Sequence, residues 1–162
     1  MRILVHEFVS GGGFAGQDVP ASLAREGAAM RTALVSDLAA IGRHQIVTTA
    51  DPRFLFAAPP GVEVVTLPRG SAALLDRLIA SADAVWLVAP ETNGCLERLA
   101  ARTEQKGTAL LGSGAAAIRR ASASTKMCSL HGLRPDTRIT NSELGIWNSC
   151  SNSKSLIPHS KL

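Results

Sequence analysis

Arg2-Ile-Leu-Val-His-Glu-Phe-Val9 runs straight into Ser10-Gly11-Gly12-Gly13-Phe14-Ala15-Gly16, an apolar strand followed by a glycine-rich turn. Apolar residues dominate the strand, the pattern of one covered on both faces. Three consecutive glycines let the backbone take positive φ and approach a ligand with no side chain in between. In open α/β sheets the loop after the first strand lies at the carboxyl edge, where ligands bind. The stretch therefore predicts a parallel α/β sheet with a small-molecule site at Gly11, Gly12 and Gly13, and leaves the chemistry open.

Outward from the turn, the pattern alternates. A helix is expected from Pro20, with Leu23, Met30, Leu34, Leu38 and Ile41 inward beside Gly27, and Gly42 closing it. A strand at His44–Thr49, a proline-rich connector at Asp51–Gly61 and a strand at Val62–Leu67 follow. Then come a helix at Ser71–Ser81, a strand at Ala84–Val88, a helix at Gly94–Lys106 and a short strand at Thr108–Leu111. Ser113 is placed to cap a short helix to Ala121, and Ser124 or Thr125 a second from Lys126. Strands and helices in this order imply right-handed crossovers, a Rossmann-like parallel sheet with helices on both faces. Residues 1–123 form that domain, and 141–162, polar and serine-rich, read as an irregular or disordered tail.

Composition narrows the function classes. An apolar fraction of 46% with 19% charged residues is that of a globular chain. No apolar run reaches the ~18 residues of a membrane span, and His6 and Glu7 in the first strand argue against a secretory signal. Cys95, Cys128 and Cys150 have no paired spacing and read as reduced thiols of a cytoplasmic protein. The histidines lack metal-ligand spacing. The net charge of +4 is unevenly spread: residues 1–118 carry ten basic and eleven acidic side chains, residues 119–162 seven and two. One aromatic, Trp147, lies in this basic stretch, which is no aromatic-basic interleaving of a dedicated site, so nucleic acid is not an expected partner.

Gly11-x-Gly13-x-x-Gly16 fits the spacing of a dinucleotide-binding turn, but no helix opens at its third glycine. The nearest strand-end acid, Asp51, lies 35 residues beyond Gly16, far past the usual ribose-binding position of roughly 20. Glu7, inside the strand, is costly to bury unless paired; it either binds a substrate amine or pairs with a core arginine. His6, on the other face, reads as a core histidine. Glu91, after the fourth strand, either favours the positive end of the next helix or faces substrate. Neither a P-loop lysine motif nor a serine or cysteine triad is present.

The segments Ile3–Phe14, Pro20–Gly27 with Met30, Val88-Ala-Pro-Glu-Thr-Asn-Gly94, Leu110-Leu-Gly-Ser113 and Ala121-Ser-Ala-Ser-Thr-Lys126 together resemble the start of ATP-grasp ligases. The nearest subgroup is the tyramine–glutamate ligase type, associated with methanofuran-like cofactors. The resemblance covers roughly residues 1–140 and implies a pre-ATP-grasp domain, with 124–140 as the start of the ATP-grasp region and the catalytic domain absent. It implies Lys126 as a nucleotide contact, with Thr125 where the family usually has aspartate, and Glu7, Gly11, Gly12, Gly13 and Glu91 on the substrate side. ATP and magnesium would serve the complete enzyme, with carboxylate and amine substrates. This chain is expected to be truncated, to bind neither cofactor tightly, to be inactive alone, and to self-associate through any exposed apolar surface.

Overall fold

The computed structural model describes residues 1–129 except Leu55, and of 124–129 the backbone alone. The tail from Asn141 lies outside the described residues. Five strands, β1 (Arg2–Glu7), β2 (Gln45–Ala50), β3 (Glu63–Thr66), β4 (Ala84–Val88) and β5 (Ala109–Leu110), form one sheet in the order β3-β2-β1-β4-β5. Every pairing is parallel. β1 lies at the centre, with Arg2 opposite Gln45 on one side and Glu7 opposite Val88 on the other. The helices are α1 (Ala21–Ala40), α2 (Ala72–Ser81), α3 (Cys95–Gln105) and α4 (Ala115–Ser129).

The alternation of β1 sorts the core into two layers. Ile3 and Val5 pack with Val35 and Leu38 of α1. Leu4 and Phe8 pack with Leu75, Leu78 and Ile79 of α2 and Leu99 of α3. Helices thus cover both faces, as the alternating pattern predicts. Among its described residues the proline-rich connector holds no helix; its Phe56 packs on the α1 side.

Three local expectations are corrected. β1 stops at Glu7 instead of Val9, because the Glu7 carboxylate accepts hydrogen bonds from the amides of Val9 (2.7 Å) and Ser10 (2.6 Å). The chain turns there through a π-helical turn, Val9–Gly13, closed by Gly13 N–H on the carbonyl of Phe8. On α1 the buried residues are Ala24, Gly27, Arg31, Val35 and Leu38, while Met30 and Ile41 are about half exposed. The expected stripe misses Arg31, which turns inward to bond two carbonyls. Finally, the two short helices after Gly112 are one continuous α4, and Glu104 of α3, not Ser113, accepts the Ala115 amide at its start (3.0 Å). Gly42 does end α1, with φ +68° and its N–H on Ala39.

Candidate functional site

The glycine turn is held from beneath by charge. Glu7 is fully buried, and besides the two amides its carboxylate accepts the Ser10 hydroxyl (2.6 Å). Arg31, equally buried, donates to the carbonyls of Ser10 (2.9 Å) and Thr49 (3.0 Å) and lies 4.4 Å from the centre of the Phe56 ring. Burial pushes the Arg31 pKa down, and the Glu7 charge opposes that shift. A core arginine is therefore the charge partner of Glu7, through space, while the carboxylate's hydrogen bonds go to the turn. Gly27 makes this possible: a Cβ there would stand 2.8 Å from Glu7 Oε2.

The glycines themselves pack tightly. Gly12 has φ +105°, and a Cβ on it would stand 2.6 Å from Leu67 Cβ. A Cβ on Gly11 would meet the Thr49 hydroxyl at 2.7 Å, and one on Gly13 would strike the Phe8 ring. Their close approach is to the protein's own core as well as to open space.

That space is a cavity of about 840 Å³ on the α2–α3 side of the sheet, at its carboxyl edge. Gly12 and Gly13 form one wall, the segment from Leu67 to Ala72 a second, and α3 a third. Cys95, Arg98, Leu99 and Arg102 reach it from one face of α3, at the i, i+3, i+4, i+7 spacing. Arg102 is paired with Asp76 of α2 and donates to the Ala72 carbonyl (2.6 Å). The hydrogen bond from Arg102 holds the Asp76 carboxyl below its usual range, against the opposing effect of burial. Arg98 donates to the Asn93 carbonyl (2.6 Å) and to Cys95 Sγ (3.5 Å). Arg69, exposed at the mouth, makes no hydrogen bond or ion pair among the described residues. Among the described residues no carboxylate lines the cavity. His6 lines its floor, buried, with Nδ1 2.7 Å from Thr49 Oγ1. Burial, reinforced by the charge of Arg102, lowers its pKa to about 4, so the ring is neutral near pH 7.

Of the residues expected at the site, the structure brings Gly12 and Gly13 to the cavity. Gly11 lies behind it against His6 and Thr49. Glu7 points to the opposite face and lines no part of it. Glu91 is exposed before the 3₁₀ turn Thr92–Gly94, makes no side-chain cap there and is not in the lining. Lys126 falls within α4, and its side chain lies outside the described residues. Arg69, Arg98 and Arg102 were not expected, since isolated arginines in a sequence read as solvated surface. The spacing of 98 and 102 with Cys95 and Leu99 was the available signal.

The rival dinucleotide reading finds its acid occupied. Asp51 is buried and accepts from Arg53 Nε (3.0 Å), Nη2 (2.8 Å) and backbone N (2.9 Å). Burial alone would raise this carboxyl, but the Arg53 bonds together hold it low. Among the described residues no group of three or more His, Cys, Asp or Glu could hold a metal ion. No described helix is long and apolar enough to cross a membrane.

Residues 44–118 match the family model of the pre ATP-grasp 3 domain. A crystal structure from Archaeoglobus fulgidus assigned to the ATP-grasp superfamily superposes with a TM-score of 0.57 at 23% identity. The match covers 74% of this chain and 35% of that one, so the chain spans about a third of that structure's length and shares its fold. No curated protein matches the sequence.

Proposed function

We propose that this chain, whose residues 44–118 match the family model of the pre ATP-grasp 3 domain, forms the substrate side of an ATP-dependent carboxylate–amine ligase. The observation that carries this reading is the cavity beneath the glycine turn, open at the carboxyl edge of the sheet within the matched fold. In such a reaction a carboxylate oxygen attacks the γ-phosphorus of ATP, giving an acyl phosphate and ADP. The amine then attacks the acyl carbon, phosphate leaves, and the amine loses a proton. The described residues would contribute binding and orientation, which supply much of the rate in phosphoryl transfer. Magnesium and ATP would be held by parts of the enzyme beyond the described residues, with Lys126 as a point charge toward phosphate. The quoted resemblances favour a tyramine–glutamate type of reaction, in the making of a methanofuran-like cofactor.

The test is a thermal-shift series on the 162-residue chain with glutamate, tyramine, MgATP and NAD, with ADP release followed in parallel. Glutamate or tyramine should raise the melting temperature, NAD should not, and ADP should not exceed the blank. Stabilisation by NAD alone would reject the ligase reading in favour of a dinucleotide-binding module.

A further inference from the structure

We propose that the cavity beneath the glycine turn binds an organic anion, with an anionic oxygen on the Nε2–H of His6, the charge between Arg69 and Arg98, and an apolar body along the Phe8–Leu75 wall. The proposal rests on the reading of this domain as a substrate side and names the ligand class that side takes.

The tautomer of His6 follows from its neighbour. Thr49 is fully buried, and a buried hydroxyl proton needs an acceptor. The acceptor the structure offers is His6 Nδ1, 2.7 Å away. With Nδ1 accepting, the one proton of the neutral ring sits on Nε2. Nε2 has no partner among the described residues. An unpaired buried donor costs free energy until an acceptor arrives, and His6 is part of the cavity floor.

The surroundings set the sign of that acceptor. Among the described residues, three arginines and no carboxylate line the cavity. Arg102 is committed to Asp76 and Ala72, but Arg69 is uncommitted and Arg98 keeps guanidinium donors beyond those facing Asn93 and Cys95. α2, ten residues long, begins at this wall, and its positive end adds the same sign. The size sets the rest. A cavity of about 840 Å³ with Phe8, Leu67, Leu75 and Leu99 in its walls has far more room than an inorganic anion fills. The shared chemistry is an anionic head on an apolar body, and the head is either a carboxylate or a phosphate monoester.

The experiment titrates the 162-residue chain by calorimetry with phenylacetate, phenyl phosphate, inorganic phosphate and the neutral benzyl alcohol. One or both aromatic anions should bind saturably, and the tighter of the two identifies the head group. Arg69→Ala and Arg98→Ala should each weaken that binding by about tenfold, as expected for a lost charged hydrogen bond. Nitrogen-15 spectra of His6 should show the Nε2–H tautomer in the free chain and a shift on adding the anion. Failure of both anions, benzyl alcohol binding as tightly as phenylacetate, inorganic phosphate as tight as phenyl phosphate, or anion binding indifferent to both arginines would each overturn the proposal. A chain stabilised by glutamate that ignores both aromatic anions would sink this inference and leave the ligase reading standing.

Discussion

Glu7 and Gly27 show how one residue's chemistry dictates another's size. A carboxylate in a central strand is tolerable because two amides, a hydroxyl and the charge of Arg31 surround it. Glycine at position 27 leaves it room. Gly27→Ala, which would favour an exposed helix by up to ~1 kcal/mol, should instead destabilise the domain by roughly 1–3 kcal/mol through overpacking. Urea denaturation decides; a more stable variant would show that the carboxylate has room to move. Glu7→Gln should cost more, about 3–5 kcal/mol, because it strands the Arg31 charge in the core. His6 gives a pH dependence with a definite sign. Its folded pKa of about 4 lies below the ordinary 6.5, so the unfolded chain takes up the proton first. Stability should be fully present above pH 6.5 and fall by roughly 3 kcal/mol as the pH drops toward 4. His6→Phe should flatten that limb of the profile, and an unchanged slope would place the titration elsewhere.

Among the elements, those that follow period and punctuation were legible. β2, β4, α2, α3 and the end of α1 at Gly42 fall within a residue or two of expectation. What failed was set by groups whose partners lie far along the chain. Arg31 counts as surface to any periodicity argument, yet it is buried because the carbonyls of Ser10 and Thr49 and the charge of Glu7 await it. The strand end at Val9 looked extended because Val9 is apolar; the side chain two residues back curls it. At the site, the glycines were legible by composition, whereas the arginines of α3 showed only in the spacing of 98 and 102 with Cys95 and Leu99 on one helix face. The exit of the glycine turn depends on a similar long-range tie. Arg53, fixed by Asp51, donates to the carbonyls of Phe14 (2.8 Å) and Gln17 (2.5 Å). Arg53→Ala should therefore speed amide exchange of Ala15 and Gln17, and lower stability by about 1–3 kcal/mol. Unaltered exchange in that segment would mean that the turn holds its own shape.

At the scale of the whole molecule, one strand organises everything: β1 is flanked on both sides, whereas β3 and β5 form the edges. Native-state exchange should be slowest in β1 and fastest in the two-residue β5, and a reversed order would contradict the central placement. The same arrangement bears on synthesis. The strand that leaves the ribosome first has its neighbours at residues 45–48 and 84–88. At 5–20 residues per second, Ile3, Leu4 and Val5 wait on the order of ten seconds for the second of them. During that interval the nascent chain carries Ile3, Leu4 and Val5, all buried in the finished fold, without their later neighbour, so the heart of the finished sheet is the part of the polypeptide with the longest exposed infancy.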